Sequence, residues 1–131
     1  MKMLQLRTLT MRIFLMLLFI PKVIANGTDY LDDCLKADSF LSLEKFESAT
    51  DRFPSGFCLG VIQGVIDTLT IITSRDCQGS VLACLPSTVT RLQTVKVVIK
   101  YLQEHPQYLH ERETGLVLSA ITSAFPCKIT N

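Results

Sequence analysis

The chain is poor in the side chains that catalytic and metal centres use most. It has two histidines in 131 residues. His105 and His110 bracket Pro106 in what reads as a turn between helices, and no Cys or Asp stands beside them at metal-motif spacing, so both are expected to be turn or surface residues. There is no Cys-x-x-Cys and no Gly-x-Ser-x-Gly, which excludes a zinc knuckle, a thioredoxin-like redox centre and a serine-hydrolase elbow. Glu111 and Glu113 are two apart on a predicted helix and point in different directions, a poor arrangement for paired acid–base work. These absences predict a protein that is not an enzyme and that uses no metal and no cofactor. Internal repeats and low-complexity tracts are also missing. No basic patch with interleaved aromatics points to nucleic acid.

The first 25 residues place the rest outside the reducing cytosol. Lys2, Arg7 and Arg12 precede the apolar run Ile13–Ile20, and Val23-Ile24-Ala25 offers small or apolar positions before a cut at Asn26. That run is too short to span a bilayer. No second long apolar segment free of charges is apparent, so no stable membrane insertion is expected once the signal is removed. Residues 1–25 therefore read as a signal peptide and 26–131 as one exported, soluble domain, periplasmic in a Gram-negative host. Without the signal, nine Lys and Arg face twelve Asp and Glu, a net charge of −3. A domain of 106 residues buries only about 60–70% of its unfolded surface and benefits from covalent staples. All five cysteines, Cys34, Cys58, Cys77, Cys84 and Cys127, lie in this part, enough for two bridges with one left over.

Helical periodicity runs through the domain. Asp29–Ala37 predicts a short helix with Thr28 as its cap, and Leu41–Ser48 a second short one. Arg52-Phe53-Pro54-Ser55-Gly56 reads as an interruption, because proline turns its predecessor away from helical geometry. From Phe57 to Ile72 the spacing of Leu59, Ile62, Ile66 and Leu69 predicts a largely buried helix. A long loop, Ser74–Val89, follows. Thr90 and Gln93 form a capping box ahead of the stripe Leu92, Val95, Ile99 and Leu102, which stops at His105-Pro106. A last helix is expected over Glu111–Phe125, with Leu116, Ala120, Ile121 and Ala124 facing inward. The sum is an all-α fold: a small disulfide-stapled bundle of about four main helices.

Asp67 stands alone within an apolar helix, and burial there requires that it be satisfied by backbone or by Arg75. Gly60 and Gly64 each cost roughly 1 kcal/mol relative to alanine in a helix. Four apart, they give the helix a flat side that admits a close neighbour, either within the domain or across a homodimer seam. The Ser74–Val89 loop is long for a bundle connection and holds two cysteines that could tie it down, which makes it the candidate partner-binding element, with Arg75, Asp76 and Gln78 as its polar groups.

The segments Cys58–Asp67 (CLGVIQGVID), Cys84-Leu85-Pro86, Val98–Pro106 (VIKYLQEHP) and Ala124-Phe125-Pro126-Cys127, in this order and spacing, resemble the Rap/Tai-like immunity family of bacterial type VI secretion systems. The resemblance covers Asn26 to Cys127. It implies a small helical periplasmic protein, in several members a dimer, that binds and blocks a peptidoglycan amidase effector without turnover of its own. Cys34, Cys58, Cys84 and Cys127 match the four recurring cysteines of the family, and Gly60, Gly64 and Asp67 match its glycine-glycine-aspartate helix. Val61 stands where relatives often carry an aromatic, and Cys77 has no counterpart. Within that set of four, Cys34 opens the first predicted helix and Cys127 closes the last, so an up-down-up-down bundle pairs them. Cys58 then pairs with Cys84, and Cys77 is free. The competing bridge is Cys77–Cys84. Two further functions fit the composition: a periplasmic chaperone or envelope-stress protein, and a structural helical domain without a toxin partner.

Overall fold

The computed structural model describes residues 26–46, 48–74 and 82–127. Four α-helices make up most of it: α1 (Gly27–Leu43), α2 (Arg52–Ser74), α3 (Arg91–Glu104) and α4 (Glu113–Ala124), with short 3-10 turns at Ala49–Asp51 and Pro106–Tyr108. The described residues contain no strand. The fold is thus the expected all-α bundle: α1 packs on α2 and α3, and α4 closes the core against α3 and α2. Tyr30, Cys34, Cys58, Leu102, Leu116 and Ile121 are among its buried side chains.

The first two helices are longer than their apolar spacing suggests, while the last begins at Glu113 rather than Glu111. Asn26, not Thr28, caps α1, its Oδ1 accepting from the backbone N–H of Thr28 at 3.0 Å and of Asp29 at 3.1 Å. That start lets α1 run to Leu43 and absorb part of the expected second segment, until Glu44 adopts the left-handed conformation (φ 52°) that ends it. Phe40 and Phe46 stack at 4.1 Å across this exit. The expected break at Arg52–Gly56 is absent. Ser48 and Asp51 form a capping box over the 3-10 turn, and α2 continues from it with Pro54 in its first turn, where a missing N–H removes no intrahelical bond. Running through that proline, the stretch Ala49–Ile72 is long and apolar enough to cross a membrane by length and composition, although Asp51, Arg52 and Asp67 interrupt it. Cys58, Ile62 and Leu69 turn one face of it into the bundle core.

Thr90 and Gln93 do form the expected reciprocal cap on α3, at 3.2 and 2.8 Å. Val95, Ile99 and Leu102 are buried as read from the spacing. On α4, Leu116, Ala120 and Ile121 face inward, but Ala124 is exposed because the helix ends there and the chain turns out toward Cys127.

The expected cysteine pairing is overturned. Cys34 bonds to Cys58 (Cα–Cα 5.2 Å) and Cys84 to Cys127 (Cα–Cα 4.9 Å). Cys34 lies mid-helix in α1 against Cys58 of α2, not at the bundle end where Cys127 follows α4. The competing Cys77–Cys84 bridge is excluded as well, since Cys84 is committed to Cys127. Cys77 itself lies outside the described residues.

Gly27 marks the tightest backbone approach. Its N–H donates to the Leu109 carbonyl at 2.9 Å, and a Cβ at this position would lie 2.5 Å from Leu116 Cδ1 and 3.0 Å from Leu109 Cα. The Leu109 backbone cannot swing away. Gly27→Ala is therefore expected to cost about 1–3 kcal/mol by overpacking, read as a lowered urea midpoint. An unchanged midpoint would show that the α1 start can slide off the α3–α4 connection.

Candidate functional site

Two surfaces stand out, and α2 contributes to the larger. Between α2 and α4 runs an apolar groove of about 500 Å³, walled by Val61, Gly64, Val65 and Thr68 on one side and by Gly115 and Leu118 on the other, with Ile72 and Leu82 at its end. The Thr68 hydroxyl is turned back onto the Gly64 carbonyl at 2.8 Å, so it presents little polarity. Gly60 and Gly64 are exposed, and a Cβ on either would meet nothing within 4 Å. Among the described residues their flat side meets no neighbouring helix. Asp67 is likewise exposed rather than buried, and accepts from Gln63 Nε2 one turn earlier at 2.8 Å. Its carboxylate is satisfied on the surface, without needing Arg75.

The second surface is the connection from α2 to α3. Arg75, Asp76 and Gln78 lie outside the described residues, but the stems on either side are placed. Ile72 and Leu82 share the groove end. The Cys84 N–H donates to the Phe125 carbonyl at 2.8 Å, and its side chain is bonded to Cys127, so the returning stem is pinned to the end of α4. Sequence reasoning foresaw a tied loop and misplaced the tie.

The opposite face of α1 is acidic. Burial raises the Asp33 carboxyl above its usual range, an effect that Lys36 opposes and that Asp32 and Asp29 reinforce. Lys36 bonds to Asp32 at 2.6 Å, which holds its ammonium proton above the ordinary lysine range. His105, expected as a turn residue, ends α3 with its Nδ1 2.8 Å from the Tyr101 carbonyl and its ring stacked between Tyr101 and Tyr108. His110 and Glu111 are exposed in the same connection, and Glu113 is half-buried in the first turn of α4. Buried Ser55 makes no hydrogen bond through its hydroxyl, so no base addresses it. Among the described residues no three His, Cys, Asp or Glu side chains converge as a metal site. What the described residues offer is an apolar groove and a loop stem tied to the end of α4.

A family model of Rap1a immunity proteins matches residues 26–127. The chain belongs to the Rap1a immunity protein family. The matched span opens at Asn26, the α1 cap, and closes at Cys127, the partner of Cys84, so the family pattern covers the whole disulfide-stapled bundle. Immunity proteins act by binding a cognate effector protein. No curated protein and no solved structure matches the chain.

Proposed function

We propose that the chain, freed of residues 1–25 as a signal peptide, is a periplasmic immunity protein that binds and blocks a peptidoglycan amidase delivered by a type VI secretion system. Membership of the Rap1a immunity family over residues 26–127 carries this reading. The two bridges support export, since disulfides persist in oxidising compartments. The protein inhibits stoichiometrically, with no turnover and no cofactor, and acts as a homodimer. Arg75, Asp76 and Gln78 meet the effector. Their loop springs from stems held by α2 at one end and by the Cys84–Cys127 bridge at the other, and holding a binding segment in place lowers the entropy cost of association.

Calorimetry of the exported protein with the amidase encoded beside it, run with a muropeptide-release assay, tests the proposal. We expect a dissociation constant at or below about 1 nM, equivalent to about −12 kcal/mol, and complete loss of hydrolysis at equivalence. Reversing charge with Arg75→Asp and Asp76→Arg is expected to weaken binding at least about tenfold with an unchanged helical spectrum. Absence of binding with undiminished hydrolysis, for every cell-wall hydrolase of the locus, overturns the assignment.

A further inference from the structure

The two disulfides differ in what can reach them. Cys34 and Cys58 are fully buried between α1 and α2, and Tyr30, itself fully buried, donates to the Cys58 carbonyl at 3.0 Å. A thiol reaches those sulfurs only after the two helices part. Cys84 is exposed and Cys127 half-buried, and both lie outside the helices, Cys84 on the returning loop stem and Cys127 beyond the end of α4. Exchange begins when a thiolate approaches one sulfur of a disulfide, so access decides which bridge reacts.

The surroundings of Cys84 favour that approach. From Leu82 to Thr90 the chain carries no charged side chain to repel a thiolate. Leu82, Pro86 and Pro126, each within two residues of a bridged cysteine, are exposed as well. We propose that Cys84–Cys127 is a thiol-exchange site for a dithiol, which opens it while Cys34–Cys58 stays closed and so frees the loop stem from α4 without unfolding the bundle.

The dithiol's thiolate bonds to Cys84 Sγ as the Cys84–Cys127 bond breaks, and the Cys127 sulfur leaves with the electron pair and takes up a proton. The second thiol then attacks the mixed disulfide and releases Cys84 as a thiol. Two electrons and two protons pass to the bridge, and the dithiol becomes a disulfide. After opening, α1 and α2 remain joined by Cys34–Cys58. Residues 82–90 are left with noncovalent holds, the bond from the Cys84 N–H to the Phe125 carbonyl and the packing of Ala83 and Leu85 on the core. The effect on the effector rests on the function proposed above: a stem without its tether loses the preorganisation that lowers the entropy cost of binding.

The test uses the full-length chain expressed with export, oxidised, and carrying Cys77→Ser so that only the two bridges supply thiols. It is incubated under native conditions with dithiothreitol or, separately, with thioredoxin, alkylated at timed points and mapped by peptide mass. Cys84 and Cys127 are expected to be labelled at least about a thousandfold faster than Cys34 and Cys58, the lower end of the folded-to-unfolded ratio that guards a core bridge. The helical spectrum should hold while amide hydrogen exchange accelerates over 82–90 and not in α1 or α2. Thioredoxin with its second cysteine replaced by serine should be captured on Cys84 as a mixed disulfide, which identifies a protein dithiol as the source; opening by dithiothreitol without capture identifies a small one. Equal labelling of the two bridges, or opening of Cys84–Cys127 only as the helical signal is lost, overturns the proposal. Unchanged amide protection over 82–90 after opening overturns the release of the stem. Effector blocking, scored by muropeptide release, should fall on reduction and return on reoxidation. Oxidised protein that blocks nothing refutes the immunity reading and leaves the exchange site standing, whereas reduced protein that blocks as well as oxidised overturns the link between bridge and effector.

Discussion

Replacing Cys34 and Cys58 together by alanine is expected to destabilise the protein by about 3.5 kcal/mol from chain entropy alone, for a bridge with a sequence separation of 24. Both cysteines are fully buried, so the variant also loses packing between α1 and α2. Against a total of about 5–15 kcal/mol for a small domain, this is a large share. The melting temperature should fall by roughly 15–25 °C, using the shift per kcal/mol typical of about 100 residues. The bridge Cys84–Cys127, with a separation of 43, is worth about 4 kcal/mol by the same reasoning. Its sulfurs lie nearer the surface, and it holds the loop stem instead of joining two core helices. Removing it should leave the four helices formed below the lowered melting temperature but weaken effector blocking, because the 82–90 stem loses its anchor on α4. Thermal melts of the two double variants, with an inhibition titration of each, separate these effects. Equal loss of blocking from both variants at a temperature where both are folded would show that the tether has no part in binding.

The error in pairing came from local signals that spacing does not carry. Asn26 precedes a glycine and reads as linker, yet its side chain starts α1 two residues before the apolar pattern begins. With them α1 spans Gly27–Leu43, and Cys34 sits mid-helix facing Cys58 of α2, a neighbour that the bounds of α1 alone do not identify. Pro54 misled in the same way: proline stops a helix in its interior and is neutral in its first turn, and only the Ser48–Asp51 cap reveals which case holds. The third helix is legible because a capping box and a single apolar stripe agree with each other, whereas α4 has no side-chain cap and starts at Glu113 rather than the expected Glu111. Of the candidate site, the composition of the loop and the glycine pair could be read directly. That the glycines face outward could not, since the β-branched residues around α2 make an apolar arc too wide to show which side meets the core.

Tyr30 joins the two halves of that core and gives the second large effect. It is fully buried, its hydroxyl donates to the Cys58 carbonyl at 3.0 Å, and its ring meets the edge of Phe57 with centroids 5.9 Å apart. Tyr30→Ala should cost about 3–5 kcal/mol through the cavity left between α1 and α2. Tyr30→Phe, which removes only the hydrogen bond, should cost about 1 kcal/mol at neutral pH. The two variants also differ from wild type in alkali. Burial above all, then the negative charges of Glu113 and Asp33, raises the phenol well above the ordinary tyrosine value of 10.0. Folded Tyr30 thus keeps its proton where an unfolded tyrosine loses one, so stability is unaffected below about pH 10 and falls as pH rises beyond it. Urea unfolding followed across that range should show wild type losing stability more steeply than Tyr30→Phe, so that the 1 kcal/mol gap narrows and then reverses. Parallel alkaline slopes for the two proteins, or a Tyr30 phenolate band that rises before the helical signal is lost, would show that water reaches the hydroxyl and that the α1–α2 contact is looser than a buried hydrogen bond requires.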